Sequence, residues 1–400
     1  MPAGASDRSS DPPRSSPPSP PEHRLPDAWT WVDTAPALAD LVERLRAAPR
    51  FALDTESNSM HAYRERICLL QVSLSDHDFI VDPLAVDLRP LRSVLTEPSV
   101  EKVMHGADYD ILCFKREYGI SLTGLFDTML AARVLGWGSY GLGTILAQRY
   151  GFRANKKMQR FDWAQRPLPS HALEYARWDT RFLLELRREQ LEALRQDDRE
   201  DELRHACLRQ TRVEPRPRKA DRLGMWGLKG ARALPARGRA VLHALYRLRS
   251  DVAERLDRPV FRVMSDQVLM DLARDPPRDA RALARIRGIH PSLRSGGGAR
   301  VLAAIEQAHD AEPPSPPPVE RGPAREQVKR FDALRAWRKA VALARGVEPD
   351  IVLGREALMT VAQADPRTHD ELVRCGALDS WELDRYAGEL LQALRAHAGS

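Results

Sequence analysis

The chain has 400 residues, of which 43% are hydrophobic and 30% charged, and its formal net charge is +6. That length is too great for one ordinary hydrophobic core and predicts two or three domains, while the composition fits a soluble globular protein. No apolar run approaches the length of a bilayer span, and the N-terminal residues lack the apolar core of a secretory signal. Residues 1–26 are rich in Pro and Ser, which predicts a disordered tail.

Short apolar strands and helices follow one another from residue 27 to residue 210, which predicts an α/β domain. A strand and a helix are predicted first, then the strand RFALDTES at 50–57, and then strands at 67–74, 78–84 and 100–105. Helical segments are predicted at 109–119, 125–136, 143–151 and, as one long amphipathic helix, 171–196.

The second half of the chain is predicted to be helical. A polar linker at 211–231 leads to a helical unit at 232–310, and a Pro-rich linker at 311–324 leads to a second helical unit at 325–400. Residues 258–273 and 347–362 share a Pro, an apolar stretch and a helix ending in Leu or Met and Ala. This similarity indicates a loose repeat.

Positive charge is concentrated in the middle of the chain. Residues 205–310 hold 22 Lys and Arg against 11 Asp and Glu, so the remainder of the chain is mildly acidic. Such a distribution indicates either a polyanionic partner or the solvated surface of an arginine-rich protein.

The four cysteines are scattered along the sequence and form no C-x-x-C pair. Their spacing argues against a disulfide framework or a zinc knuckle and fits a reducing cytoplasm, which is the predicted location. The spacing of His105, His171 and His205 also fits no zinc motif.

The two acids of RFALDTES raise the first question of function. Side chains alternate between the two faces of a strand, so Phe51 and Leu53 point one way and Asp54 and Glu56 the other. Two carboxylates on one face at a strand end supply half of a site for a divalent ion such as Mg²⁺, which prefers oxygen ligands. A D-x-E pair also occurs by chance at strand ends, so these residues alone leave both interpretations open.

Two later segments carry further acids. Asp108 and Asp110 stand at the start of a predicted helix, where capping and the helix dipole also favour acids. Tyr175 and Asp179 are four residues apart and share a helix face that neighbouring apolar residues turn inward. A buried Asp is costly unless it is paired or binds a metal, so a metal site and a core Tyr with a nearby Arg are both consistent with this segment.

Together, D-x-E, an Asp on a helix about 55 residues later and Y-x-x-x-D on a late helix form a specific ordered pattern. It resembles the DEDD superfamily of exonucleases, in the branch with Tyr before the last Asp. The segments RERICLLQVS, IVDPL, FDTMLAARVLG, DWAQRPL and LEYARWDTRFLL extend the resemblance to the ribonuclease D family over residues 27–205. The helical units are similar to HRDC modules, the second more faintly. The resemblance implies a ribonuclease H-like exonuclease domain with a mixed sheet flanked by helices, followed by two all-α HRDC-like domains.

The resemblance also implies the site, in which two divalent ions, Mg²⁺ or Mn²⁺, are held by Asp54, Glu56, Asp110 and Asp179. The family's second motif places its acid five residues after a His, which selects Asp110 over Asp108. Tyr175 has an ordinary pKa near 10 and is expected to orient the attacking water as a neutral hydroxyl. The segment SNSM after DTE departs from the aromatic or small apolar residue of many relatives, which affects the expected contact to the terminal nucleotide.

Basic residues are the candidates for contact with nucleic acid. Lys156, Lys157 and Arg160 precede the helix of Tyr175, and either meet backbone phosphates or form an exposed basic loop. The first helical unit contributes six basic residues that are expected to grip structured RNA, namely Lys229, Arg232, Arg237, Arg239, Arg247 and Arg249. Its Trp226 and Tyr246 can stack on bases, although such side chains more often belong to a core.

The function that follows is that of a 3′–5′ exoribonuclease acting on the 3′ ends of RNA such as tRNA precursors, with the polarity implied by the resemblance alone. A 3′–5′ DNA exonuclease and an inactive RNA-binding scaffold are the alternatives. No feature of the sequence indicates a membrane or an obligate protein partner.

Overall fold

The computed structural model describes residues 28–153, 156–215, 223–318 and 322–398, and it does not describe the side chains of residues 156, 157, 397 and 398. The predicted tail at 1–26 and parts of both predicted linkers lie outside the described residues. Within the described part of the chain, no helix combines the length and the apolar composition that a bilayer span requires.

A mixed sheet of six strands forms the centre of the N-terminal domain, in the order β1-β4-β3-β2-β5-β6. Strand β3 is antiparallel to both of its neighbours, β2 and β4, and the remaining pairs are parallel. The strands are Trp29–Val32 (β1), Arg50–Ser57 (β2), Ile67–Ser73 (β3), Asp78–Val81 (β4), Glu101–Met104 (β5) and Leu125–Asp127 (β6).

Helices cover both faces of this sheet and confirm the predicted α/β architecture. They are Ala35–Ala47 (α1), Arg92–Leu95 (α2), Asp108–Tyr118 (α3), Thr128–Val134 (α4), Leu142–Arg149 (α5), Ser170–Arg181 (α6), Leu183–Gln196 (α7) and Glu200–Thr211 (α8). Helices α1 and α3 share a core with Phe51 and Leu53 on one face. Helices α4, α7 and α8 pack with Ala52 on the other face, and α6 lies beside them against β3.

Two predicted elements of this domain need correction, and one helix was missed. Residues 125–127 form strand β6 and not a helix, because the carboxylate of Asp127 accepts the amides of Met129 and Leu130 and starts α4 after itself. The long helix predicted at 171–196 is two helices that meet at Phe182, whose ring stacks on Trp178 and Tyr150. Helix α8 was not predicted, because most of its residues are polar.

The first helical unit contains Ala236–Arg255 (α9), Val260–Val263 (α10), Asp266–Arg274 (α11), Ala280–Ala284 (α12), Pro291–Arg294 (α13) and Ala299–Asp310 (α14). Its core also takes in Met225 and Ala231, so we propose that this unit begins before residue 232. Ser265 caps α11, since its hydroxyl accepts the amide of Val268. Short 3₁₀ helices occur at Arg89–Leu91, Lys156–Arg160, Gly224–Gly227, Ala231–Ala233 and Ser295–Gly298.

The second helical unit contains Arg325–Arg345 (α15), Pro349–Val352 (α16), Arg355–Ala364 (α17), His369–Arg374 (α18) and Ser380–Ala398 (α19). It packs against the N-terminal domain through Ile351, which enters the core formed by α4, α7 and α8. Arg133 of α4 donates to Glu348 at 2.9 Å and to Asp350 at 2.5 Å. The second unit is thereby fixed to the side of the domain that carries β6.

Candidate active site

Strand β2 places Asp54 and Glu56 on one face, as the alternation predicts. Phe51 and Leu53 are buried in the core on the opposite face, at 0% and 1% exposure. The parallel pairing with β5 ends at Ala52, whereas the antiparallel pairing with β3 continues along β2. Both acids therefore lie where the neighbouring strand β5 has stopped and one side of β2 is open to side chains from helices.

Helix α3 brings Asp110 to this opening from the other layer of the domain. The Thr55 hydroxyl donates a hydrogen bond to Asp110, whose side chain is buried. Asp110 is also among the neighbouring charges that raise the pKa values of Asp54 and Glu56. Asp108 is exposed and is hydrogen-bonded by Gln210 of α8, so it faces away from the cluster. Of the two candidates in this segment, Asp110 is the one that joins the other acids.

Helix α6 supplies Tyr175 and Asp179 from the face opposite to α3. Burial raises the pKa of Asp179, and Asp179 in turn raises the pKa values of Asp54 and Glu56. The ring of Tyr175 lies 6.2 Å from that of the buried Trp163. The pKa of Tyr175 is raised by burial and then by the three nearby carboxylates, so its hydroxyl is protonated at neutral pH.

The opposite side of α6 is held by a buried ion pair that the sequence did not reveal. Asp78 of β4, at 1% exposure, accepts hydrogen bonds from Arg177 at 3.1 Å and from Arg181 at 3.4 Å. The Ser73 hydroxyl donates to the same carboxylate at 2.8 Å. Since Arg177 lies between Tyr175 and Asp179 in sequence but on another face, this ion pair sets the orientation of α6.

A second buried carboxylate, Asp127, holds the start of α3. It accepts the amides of Gly106 and Ala107 at 2.9 Å each, and the Gln210 side chain donates to it at 2.9 Å. Because Asp127 also caps α4, one side chain joins the loop before Asp110 to helices α4 and α8. No pattern in the sequence separates Asp127 from the helical pattern around it.

The cluster of acids lacks positive charge. Among the described residues, no Lys or Arg forms an ion pair with any of the four acids. Burial is the largest cause of the raised pKa of Asp54, followed by Asp110, Asp179 and Glu56. For Glu56 burial is again the largest cause, followed by Asp179 and Asp110. Buried carboxylates of this kind fit hard divalent cations with oxygen ligands.

The four carboxylates interact, but they do not yet converge on one point. Within the described chain, no three His, Cys, Asp or Glu side chains are placed to hold a metal ion as they stand. One oxygen of Asp110 is engaged by the Thr55 hydroxyl. The set of buried carboxylate oxygens still fits a hard divalent ion chemically.

The predicted nucleic-acid contacts lie outside this cluster. The side chains of Lys156 and Lys157 are outside the described residues, and Arg160 is exposed. Lys229 and Arg232 are exposed, and Arg232 donates to the Pro317 carbonyl at 2.9 Å.

Two arginines of the first helical unit are less available than the sequence suggested. Arg239 is half-buried and its guanidinium reaches the Leu234 carbonyl at 3.5 Å. Arg249 has to be corrected: it is 2% exposed and donates to Asp266 at 2.6 Å, so it stabilises the unit and is not available to RNA.

Comparison with known proteins shows which family the chain resembles. A family model described as 3'-5' exonuclease matches residues 29–194, and the HRDC domain model matches residues 238–305 and 327–394. A ribonuclease D of Granulibacter bethesdensis is 30% identical over 373 residues, which cover 90% of this chain and 91% of that protein.

Solved structures agree with the sequence comparison. The structure of Escherichia coli RNase D, described as an exoribonuclease involved in structured RNA processing, is 25% identical with a TM-score of 0.64, and covers 92% of this chain and 99% of its own. A protein from Bifidobacterium adolescentis shares the fold with a TM-score of 0.75 at 20% identity, over 91% of this chain and 96% of its own.

Fold, site and matches together define a 3′–5′ exonuclease followed by two HRDC domains. The chain belongs to the ribonuclease D family and is a 3′–5′ exoribonuclease, a hydrolase whose substrate is RNA. Exonucleases of this superfamily use divalent metal ions.

Proposed function

We propose that the enzyme trims the 3′ ends of stable RNA, tRNA precursors among them, with two divalent ions, Mg²⁺ or Mn²⁺. The observation that carries the site assignment is the meeting of acids from β2, α3 and α6 without a compensating cation. Asp54, Glu56, Asp110 and Asp179 would hold the ions. When bound, such ions lower the pKa of water and stabilise the leaving oxygen of a phosphodiester.

Tyr175 acts in this proposal as a positioning hydroxyl. Its raised pKa keeps the proton on the oxygen at neutral pH, so the side chain can donate a hydrogen bond but cannot take a proton from water. It orients the attacking water and the scissile phosphate beside Asp179. Tyr175→Phe is therefore expected to retain more activity than Asp54→Asn.

The substrate assignment draws support from the basic first helical unit and from the E. coli relative, whose description concerns structured RNA. HRDC-like units that contact phosphates and shape can present a 3′ end without reading its sequence. The cysteines among the described residues are free, which agrees with the cytoplasm as the proposed location.

The test uses one sequence as 5′-labelled single-stranded RNA and DNA, each incubated with Mg²⁺, with EDTA, and with the Asp54→Asn protein. We expect a ladder that shortens from the 3′ end of RNA and disappears with EDTA and with Asp54→Asn. Asp76→Asn, an exposed acid outside the cluster with a side chain 75% exposed, is the matched control and should retain full activity. A ladder on DNA alone would favour the DNA exonuclease, and RNA binding without a ladder would favour the scaffold.

A further inference from the structure

A buried glutamine in the middle of the sheet has no polar partner. Gln71 lies on β3 and is 0% exposed. Among the described residues, neither the oxygen nor the nitrogen of its side-chain amide takes part in a hydrogen bond. Burial of an amide without such a bond costs free energy, and folded proteins contain few groups in this state. Gln71 therefore stands out as a polar side chain that the fold itself does not use.

The register of the strands places Gln71 opposite Asp54. In the antiparallel pair of β2 and β3, Gln71 is the direct partner of Asp54, and on its other side it faces Ile80 of β4. Directly opposed residues of an antiparallel pair project from the same face of the sheet, with Cβ atoms about 4.5–5.5 Å apart. The amide of Gln71 and the carboxylate of Asp54 are consequently neighbours on the face that carries the catalytic acids.

Helix α6 closes the space above Gln71. Leu69, on the same face of β3, and Ile80 pack with Ala176 of α6 in one apolar core. One turn further along, the same helix carries Asp179 to the cluster of acids. Gln71 is thus enclosed between an apolar core on the side of β4 and carboxylates on the side of β2.

The next polar residue on this face of β3 differs from Gln71 in having all its hydrogen bonds. The hydroxyl of Ser73 donates to Asp78 at 2.8 Å and lies 2.8 Å from the hydroxyl oxygen of Thr180 on α6. Ser73 therefore joins the sheet to α6 with polar contacts that the fold completes. The amide of Gln71 makes no such contact and does not hold α6 on the sheet.

Asp54 has the complementary deficiency. Among the described residues, no side chain donates a hydrogen bond to its carboxylate, and the side chains that act on its pKa are other acids. An amide NH₂ group offers two donors and carries no charge, so it can orient a carboxylate and leave its negative charge available to a cation. Hydrogen bonds of this kind orient the carboxylates that bind metals in proteins.

We propose that Gln71 is a positioning residue of the metal site, whose side-chain NH₂ donates to the Asp54 carboxylate when the cluster holds its divalent ions. The inference rests on the proposed function and adds to it a residue outside the four acids and Tyr175. A buried water that satisfies the amide, with a purely structural effect, is the alternative that the experiments separate.

The first experiment measures stability without metal. Gln71→Met keeps an unbranched side chain of similar length and removes both polar atoms. Gln190→Met is the matched control, because Gln190 is also 0% exposed but donates to the Thr128 carbonyl at 2.8 Å. In urea unfolding with EDTA, Gln71→Met should have a midpoint no lower than wild type, since it loses no hydrogen bond. Gln190→Met should have a lower midpoint, since it leaves a buried acceptor without this donor.

The second experiment measures the metal site directly. Isothermal titration calorimetry of the RNA-free protein with Mn²⁺ should give a Kd about 10- to 100-fold weaker for Gln71→Met, the loss that removal of a hydrogen bond to a metal ligand typically causes. Gln190→Met should bind Mn²⁺ like wild type. At a Mn²⁺ concentration near the wild-type Kd, Gln71→Met should lower the kcat for RNA trimming and leave the KM for RNA unchanged, because the amide acts on a metal ligand and not on RNA.

Two results would each overturn the role of Gln71. One is a Gln71→Met protein that binds Mn²⁺ with wild-type affinity. The other is a Gln71→Met protein that fails to fold, or that loses as much stability in EDTA as Gln190→Met does, which would make the amide structural. A wild-type protein that neither binds Mn²⁺ nor trims RNA would instead overturn the proposed function.

Discussion

The catalytic domain buries two sets of carboxylates, and the two sets differ in the groups that surround them. Asp78 and Asp127 are buried, and arginine side chains donate hydrogen bonds to Asp78 while backbone amides donate to Asp127. Asp54 and Glu56 have other carboxylates as neighbours, which raise their pKa values after burial itself. Compensated acids of the first kind stabilise a fold, whereas acids of the second kind oppose folding until a cation arrives.

The two sets are also mechanically connected. Asp78 orients helix α6 through Arg177, and α6 carries Tyr175 and Asp179. Asp127 fixes the loop before α3, which carries Asp110. The compensated acids thus hold the uncompensated ones in place against their mutual repulsion.

The largest change in stability is expected for Asp78→Ala. Its loss removes the buried carboxylate to which Arg177, itself 9% exposed, donates, and breaking a buried pair in this way costs about 3–5 kcal/mol of unfolding free energy. Urea unfolding followed by circular dichroism measures the effect. Asp76→Ala is the control, because its carboxylate is exposed and 4.0 Å from Arg44, an arrangement worth less than about 1 kcal/mol. Equal midpoints for Asp78→Ala and wild type would show that the ion pair does not anchor α6.

Metal binding should stabilise the protein through the uncompensated acids alone. At a concentration of about 100 times its Kd, Mg²⁺ or Mn²⁺ should stabilise the wild-type protein by about 2.7 kcal/mol, seen as a rise in Tm that EDTA reverses. The Asp54→Asn protein should show no such rise. If the ion raised the Tm of both proteins equally, it would be binding outside the cluster.

Asp127→Asn should lower the free energy of unfolding by less than Asp78→Ala does. One carboxylate oxygen would become an NH₂ group facing the amide donors of Gly106 or Ala107, and hydrogen bonds to a charged group contribute about 1.5–3 kcal/mol. Activity should fall as well, because the start of α3 carries Asp110. Chemical denaturation and the kcat for RNA trimming measure both consequences. A variant that loses neither stability nor kcat would remove Asp127 from the support of the site.

The sequence allowed prediction of the uncompensated acids and not of the compensated ones, and the reason is physical. Strand alternation places Asp54 and Glu56 on one face, and helical spacing places Tyr175 and Asp179 on one face of a helix. The order of these local patterns along the chain carries the resemblance that implies the site. The significance of Asp78 depends on Arg177, which is 99 residues away in the chain. Asp127 belongs to a short edge strand whose existence depends on pairing with β5.

The same distinction explains the corrections to the fold. Five of the six strands of the sheet follow from apolar runs in the sequence. The charged helix α8 is instead held by packing against β6 and by ion pairs with Arg345 and Asp379 of the second helical unit. Arg249 looks like a surface cation in sequence, and only its burial against Asp266 shows otherwise. Tertiary partners far along the chain decide each of these cases.

The smallest effect, and the one opposite in sign, is expected for Asp54→Asn without metal. The pKa of Asp54 in the folded state is raised by burial and by three neighbouring acids. The unfolded chain therefore releases the carboxyl proton of Asp54 at a lower pH than the folded protein does. The titration of Asp54 therefore lowers the free energy of unfolding as the pH rises from about 4, the ordinary pKa of Asp, toward the raised pKa of the folded state. Asn removes the charge, and stability in EDTA at neutral pH should increase by about 1–2 kcal/mol while RNA trimming is lost.

The measurement is urea unfolding in EDTA near pH 5 and near pH 8, with Asp76→Asn as the control. Wild type should lose more stability between the two pH values than Asp54→Asn does, because the variant lacks one of the repelling carboxylates. An Asp54→Asn protein that is less stable than wild type in EDTA at both pH values would mean that Asp54 is compensated like Asp78. The contrast between the two sets of acids would then fail as a way to separate catalytic from structural carboxylates in this domain.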